Sequence, residues 1–303
     1  MEAIITIVGF LGAGKTTLLQ QVSQLLLSRG WQPFIILNDY ENAQMDAQQF
    51  LEQLPPQSIK ALSGSCICCS GIHELRNFIN LIPPRENGIT LIEANGTSDA
   101  CSLMGFLGVG LEKRFLPPVQ ISVADVKNWQ KRGEHNELEA NQIQVSSLIV
   151  LTHTEDCTAA RVQQVKADIQ KLNPLAKIIL PTEVEAQQLW QLAPSQNQAE
   201  KLDHLKAHWS SCSVALPSLP DKQSILDICQ AIPASILRVK GCTKIGEEKD
   251  YTFFERTPDG AIHFKTYYGA PATGPSLLSI GPGSDTAMLE KAIKNALKLS
   301  AAR

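Results

Sequence analysis

Apolar residues along this chain fall into two regimes. In the first, short uninterrupted apolar runs at 4–8, 33–37, 89–92, 119–123, 148–151 and 177–180 alternate with amphipathic stretches. Among these stretches are 16–29, closed by Gly30, and 159–172, ended by Asn173-Pro174. A short run without polar alternation is what a strand covered on both faces requires, and helical spacing between such runs supplies the covers. The order is β-α-β, which predicts a mostly parallel sheet with helices on both sides. Beyond a polar, glutamine-rich stretch at 194–208 the pattern changes. Strands are expected at 212–216, 237–244, 251–256, 262–268 and 276–280, with helices near 221–231 and 286–297. Pro258-Asp259-Gly260 supplies the turn of one hairpin. The expected architecture is an α/β domain over 1–205 followed by a smaller α+β domain over 206–303.

Composition narrows the chemistry. The chain has 303 residues, 44% hydrophobic and 19% charged, and a formal net charge of −3 with its basic residues scattered. That leaves no electrostatic footprint for nucleic acid or an anionic membrane. No stretch approaches the roughly 18 uninterrupted apolar residues of a membrane span. The opening run lacks the basic flank and cleavage site of an export signal. Eight cysteines, three of them within four residues, then fit a reducing, cytoplasmic setting and thiol or metal chemistry better than a disulfide framework.

Gly9-Phe10-Leu11-Gly12-Ala13-Gly14-Lys15-Thr16 follows an apolar strand and opens a helical pattern. This G-x-x-x-x-G-K-T loop is built for phosphates. Glycines let backbone N–H groups face the anion, the helix N-terminus favours its charge, Lys15 reaches the β/γ oxygens, and Thr16 suits Mg²⁺. Downstream, Ile89-Thr90-Leu91-Ile92-Glu93-Ala94-Asn95-Gly96 is a buried strand ending in a carboxylate and a glycine. Glu93 is placed to orient a water or to hold Mg²⁺ through one, and the Gly96 amide to sense a γ-phosphate. Asp125 ends another strand at the same sheet edge, either as a ligand residue or as a helix cap.

Ser65-Cys66-Ile67-Cys68-Cys69-Ser70-Gly71 is the densest chemistry in the chain. On an extended segment Cys66 and Cys68 point the same way, and a turn at Ser70-Gly71 brings Cys69 round. Three thiolates suit Zn²⁺, Co²⁺, Ni²⁺ or Cu⁺, with water, Asp39, Glu41 or His73 as a fourth ligand. Thiol redox chemistry and packing are the other readings. The remaining cysteines, Cys101, Cys157, Cys212, Cys229 and Cys242, stand alone and are expected to pack. Arg238 and Lys240 alternate on a strand and are expected on a solvated face, with a phosphate or partner contact as the alternative.

Four motifs occur together in order: the phosphate loop, Asn38-Asp39-Tyr40-Glu41, Cys66-Ile67-Cys68-Cys69 and Glu93-Ala94-Asn95-Gly96. In this the chain resembles CobW-like members of the CobW/HypB/UreG GTPases. The resemblance continues through Asn141-Gln142-Ile143 and 172–178, and into Leu237-Arg238-Val239-Lys240-Gly241, so it covers nearly the whole chain. It implies a P-loop GTPase that houses a transition metal, zinc first, on its C-x-C-C motif and delivers it to a client metalloprotein. On that reading Lys15 and Glu93 are catalytic. Gly9, Gly12, Ala13, Gly14, Lys15, Thr16, Thr17, Gly96, Thr152 and Glu155 meet the nucleotide, and Thr16, Asp39, Glu41, Cys66, Cys68 and Cys69 meet metal. Where the family reads guanine with Asn-Lys-x-Asp, this chain has Thr152-His153-Thr154-Glu155, which leaves GTP against ATP open. A nucleotide-binding module that docks a partner without hydrolysis is the competing expectation. Self-association is left open.

Overall fold

A computed structural model of the chain describes residues 1–38, 43–62, 72–197, 211–257, 260–267, 271, 274–281 and 283–302. Asp39, Glu41, Cys66, Cys68, Cys69, Pro258-Asp259 and the expected boundary at 205/206 lie outside the described residues. The chain divides into two compact units, Met1–His208 and Trp209–Arg303.

The first unit is a seven-stranded sheet of β1 (Ala3–Val8), β2 (Gln32–Asn38), β3 (Ile59–Leu62), β4 (Gly88–Glu93), β5 (Val119–Asp125), β6 (Leu148–Thr152) and β7 (Lys177–Ile179). Their spatial order is β3-β2-β4-β1-β5-β6-β7 and every pairing is parallel. Helices α1 (Lys15–Ser28), α2 (Ala43–Gln48), α3 (Ile72–Leu81), α4 (Ala100–Leu107), α5 (Asn136–Gln144), α6 (Ala159–Leu172) and α7 (Ala186–Trp190) complete it. The mostly parallel α/β architecture expected from the apolar runs is what forms. β3 was not legible, because Ile59-Lys60-Ala61-Leu62 is a short edge strand, only partly buried.

The pleat of β1 sorts the helices. Ile5 and Ile7 point to the side where α1 lays down Leu18, Leu19, Val22 and Leu26. Ile4 and Val8 point to the side of α3 and α4, with Leu75, Ile79, Leu103 and Leu107. Each of these buried side chains contributes roughly 1.5–3 kcal/mol. Moving from β1 to β2 the chain steps one way across the sheet, and from β3 onward it steps back. Right-handed crossovers therefore put α1 on one face and α3 to α6 on the other. The reversal opens a crevice at the carboxyl ends of β1 and β4, where ligands of open α/β sheets bind.

The second unit is an antiparallel sheet of β8 (Ser211–Ala215), β9 (Arg238–Thr243), β10 (Tyr251–Arg256), β11 (Ile262–Tyr267) and β12 (Ser276–Ile280), in the order β11-β10-β9-β12-β8. One face carries α8 (Lys222–Ala231), capped by Asp221, and α9 (Thr286–Ala302), through a core that includes Ile225, Ile228, Val239, Phe254, Leu277 and Leu289. Gly241 is required there, since a Cβ would meet the ring of cross-strand Phe254 at 2.3 Å. The expectation of a solvated face for Arg238 and Lys240 is corrected. Lys240 is 1% exposed, and Arg238 Nε donates to Glu255 Oε1 at 2.6 Å. Strand pairing puts Lys240 beside Leu278 and Cys242 beside Phe253, all buried, so strand alternation on this sheet does not imply water on the second face.

Candidate functional site

The phosphate loop leaves β1 at Val8 and enters α1 through Gly14. Gly9, Gly12 and Gly14 have φ of 152°, 77° and 90°, which glycine adopts without strain. Ala13 is buried and its N–H closes a turn onto Phe10 O at 3.1 Å. Lys15 is 4% exposed and curls over the loop, its ammonium donating to Gly9 O at 2.9 Å and Phe10 O at 3.3 Å. Thr16 Oγ1 donates to Glu93 Oε1 at 2.9 Å. Parallel pairing of Ile7 with Glu93 sets that contact, bringing two sequence-predicted residues together across 77 positions.

Gly96 follows directly. A Cβ on it would meet Leu11 Cδ2 at 2.4 Å and Leu11 N at 2.8 Å, so the 94–98 loop lies against the phosphate loop with no space for a side chain. Two residues of α5 hold this loop from behind. Asn141 Oδ1 accepts from Ala100 N at 3.2 Å, and Gln142 Nε2 donates to Gly96 O at 3.2 Å and Ser98 O at 3.1 Å. The sequence places Asn141-Gln142-Ile143 only within a family resemblance and gives it no role.

On the other side of the loop, Gly14, Thr17, Leu18, Gln21, residues 151–155 and residues 180–182 line a cavity of about 350 Å³, within the size range of small-molecule pockets. Thr152 and Glu155, both expected to meet the nucleotide, line it, as does Thr17. Yet Thr152 Oγ1 donates to Ala13 O at 2.8 Å, and His153, with φ 52°, sets Nε2 3.2 Å from Gly12 O. These two side chains brace the phosphate loop. Glu155 is exposed and, among the described residues, is the one carboxylate in the lining.

Asp125 closes a turn rather than capping a helix, since residues 126–130 form turns. Its carboxylate accepts from Asn128 N at 3.1 Å and Asn128 Nδ2 at 2.8 Å, and pairs with Arg132 at 3.0 Å. The Arg132 guanidinium lies 4.7 Å from the ring centre of Phe10 in the phosphate loop, and His135 stacks on the same ring at 6.2 Å. Glu139, 3.7 Å from Arg132 Nε, shares that cation with Asp125. Burial pushes the Glu139 carboxyl up from 4.5 to about 7, against the opposing pull of the Gln130 N–H and of Arg132.

A raised folded-state pKa means that the native protein keeps a proton the unfolded chain has lost. Stability is therefore fully present below pH 4.5 and falls as pH rises to about 7, by roughly 3 kcal/mol for this shift. Glu139→Gln is expected to flatten that slope and to be the more stable protein at pH 8. Urea unfolding across this range checks it, and an unchanged slope refutes the assignment.

Of the residues expected to meet metal, Asp39, Glu41, Cys66, Cys68 and Cys69 lie outside the described residues. Among the described residues no group of three or more His, Cys, Asp or Glu converges to hold a metal. Of the isolated cysteines, Cys229 and Cys242 are buried, and burial pushes their thiols up to about 11 and about 12, which suits packing rather than reactivity. Cys101, Cys157 and Cys212 are half-buried. Among the described residues no helix is long and apolar enough to cross a membrane.

Comparison with known proteins adds a family. The CobW/HypB/UreG nucleotide-binding domain matches residues 3–180. The chain is similar to the zinc chaperone YjiA of Escherichia coli (strain K12), 26% identical over 188 residues, 59% of this chain and 57% of that protein. It is also similar to zinc-regulated GTPase metalloprotein activator 1 of Dictyostelium discoideum, 22% identical over 212 residues, 57% of this chain and 44% of that protein. The chain thus matches about half the length of these relatives. Among solved structures it is similar to the Zn(II)-bound YjiA GTPase from E. coli, at 18% identity over 97% of this chain and 98% of that one, with a TM-score of 0.44.

Proposed function

This chain belongs to the CobW/HypB/UreG family, and from that premise we propose that it hydrolyses a nucleoside triphosphate to control the binding and delivery of a transition metal, zinc first, to a client protein. The observation that carries the nucleotide half is the 2.9 Å hydrogen bond from Thr16 to Glu93 beneath a glycine loop that Lys15 covers. A hydroxyl and a carboxylate oxygen brought together are hard donors of the kind Mg²⁺ takes, so Thr16, with Glu93 directly or through water, would hold it. Mg²⁺, when bound, neutralises charge on the β and γ oxygens. Loop N–H groups and the α1 N-terminus bind the phosphates, Lys15 stabilises charge developing on them, and Glu93 orients the attacking water. Gly96, pressed on Leu11, would report whether a γ-phosphate is present.

Cargo metal is assigned to Cys66, Cys68 and Cys69, with Asp39 and Glu41 beside it, because thiolates select borderline and soft ions. The similarity to proteins named as a zinc chaperone and a zinc-regulated GTPase supports zinc as the first ion to test. GTP is the first nucleotide to test, with ATP second. The competing reading, a binding module without turnover, is favoured by one observation: Thr152 and His153 are spent on Ala13 and Gly12, leaving Glu155 to read the base.

The test is Co²⁺ titration of reduced, metal-free protein, reading thiolate charge-transfer absorbance and phosphate release together with GTP or ATP and Mg²⁺. Thiolate absorbance that shifts with nucleotide in wild type, and that is lost in a Cys66→Ser, Cys68→Ser, Cys69→Ser triple variant, is expected. Phosphate release that ignores both metal and the triple variant would end the coupling. Binding of nucleotide with no release would turn the assignment to the binding module.

A further inference from the structure

We infer that Gln142 is a positioning residue for nucleotide hydrolysis: its carboxamide fixes the loop that carries Gly96 against the phosphate loop. The inference rests on the nucleotide-hydrolase reading and assigns it a part that lies outside the recognised motifs. Gln142 is 1% exposed in the last turns of α5. An amide nitrogen has two protons, and Gln142 Nε2 has two carbonyls in reach, Gly96 O at 3.2 Å and Ser98 O at 3.1 Å. Both oxygens are turned toward α5.

The anchor is itself anchored. The backbone carbonyl of Gln142 accepts from Gln120 Nε2 at 2.8 Å, Ser122 Oγ at 2.6 Å and Ser146 Oγ at 2.8 Å. Gln120 and Ser122 stand on β5, which pairs directly with β1 at Thr6 and Val8, the strand that launches the phosphate loop. The two loops thus share one rigid base. Neighbouring Asn141 holds Ala100 N at the start of α4, so the stretch from Gly96 to Ala100 is fastened at three points to α5.

Gly96 has no slack on its other side, where Leu11 N stands only 2.8 Å from the point a Cβ would occupy. A loop pinned between an unyielding phosphate loop and a buried amide holds Glu93 and the Gly96 N–H at fixed distances from the loop that binds phosphate. Misplacement of catalytic groups by about 1 Å costs on the order of a hundredfold in rate. The phosphate loop, which Gln142 does not touch, carries most of the ground-state contacts, and Gly96 adds one at the γ-phosphate alone, so the role predicts a far larger loss in kcat than in KM.

The experiment compares wild type with Gln142→Met, which keeps the volume and removes both donors, and Gln142→Ala. For each, kcat and KM for nucleotide are measured, together with hydrogen exchange over 96–100 and 136–144 with and without a non-hydrolysable triphosphate analogue. The expected result in both variants is kcat lowered about ten- to a hundredfold, with KM within about threefold of wild type. Analogue-induced protection over 96–100 should be lost while 136–144 stays protected. Wild-type kcat in Gln142→Met, with protection over 96–100 intact, overturns the inference. So does a variant in which protection over 136–144 collapses and KM rises with it, because that is a purely structural role. Absence of phosphate release from wild type with either nucleotide would instead refute the hydrolase reading, and protection over 96–100 would still decide whether Gln142 positions the loop.

Discussion

Lys15→Met is expected to lower phosphate release at saturating nucleotide by about 10²- to 10³-fold, the cost of removing one preorganised charge donor from a transition state. Lys15 is 4% exposed and its ammonium is fixed by Gly9 O at 2.9 Å and Phe10 O at 3.3 Å, so the charge sits over the loop rather than wandering in solvent. Methionine preserves the buried stem and deletes the ammonium, with its charge and its hydrogen bonds to Gly9 O and Phe10 O. The loop itself is braced independently of Lys15, by Thr152 on Ala13 O and His153 on Gly12 O, so its shape should survive the substitution. Single-turnover phosphate release, with nucleotide affinity measured separately, separates loss of chemistry from loss of binding. A rate within about threefold of wild type would mean that Lys15 serves loop structure alone, and the hydrolase reading would lose its main cation.

What could be read from the sequence and what could not divide along contact range. The phosphate loop is eight contiguous residues between an apolar strand and a helix, and its chemistry depends on backbone geometry that glycines announce locally. Glu93 was legible for a similar reason, as a carboxylate at the end of an unbroken apolar strand, although its bond to Thr16 needed the β1–β4 register. Gln142 and Asn141 were not legible as loop clamps. Their partners lie more than 40 positions away, and a buried glutamine on a helix looks in sequence like any polar surface residue. Thr152 and His153 read as a damaged base-recognition motif, whereas the structure turns both toward the phosphate loop. Phe10 belongs to the loop motif, but its contacts with Arg132 and His135 join residues more than 120 positions apart. Lys240 failed as a surface residue because alternation along one strand says nothing about whether the second face of its sheet is covered.

Arg256→Met is expected to destabilise the second unit by about 4 kcal/mol, the scale for breaking a buried charged hydrogen-bond cluster. Arg256 ends β10 and is 8% exposed, with its guanidinium inside the unit. Nη1 donates to Cys229 O at 2.5 Å and Ile232 O at 2.7 Å, and Nη2 to Pro233 O at 3.1 Å and Ile236 O at 2.6 Å. These carbonyls belong to the C-terminus of α8 and the turn after it, where a helix leaves carbonyls without intrahelical partners and its dipole favours a cation. Burial lowers the pKa of the guanidinium, and the four oxygens compensate for water it has lost. Methionine would fill part of the volume and leave these oxygens buried without the donor, which is the expensive half of such a deletion. Arg256→Lys should recover only part of the loss, because an ammonium has three donors on a single atom and cannot span four carbonyls arranged for a planar fork. Denaturant unfolding, with hydrogen exchange following 222–231, reads both variants. If Arg256→Met unfolds within about 0.5 kcal/mol of wild type, the fork is incidental and α8 is held by Ile225, Ile228 and their apolar neighbours alone.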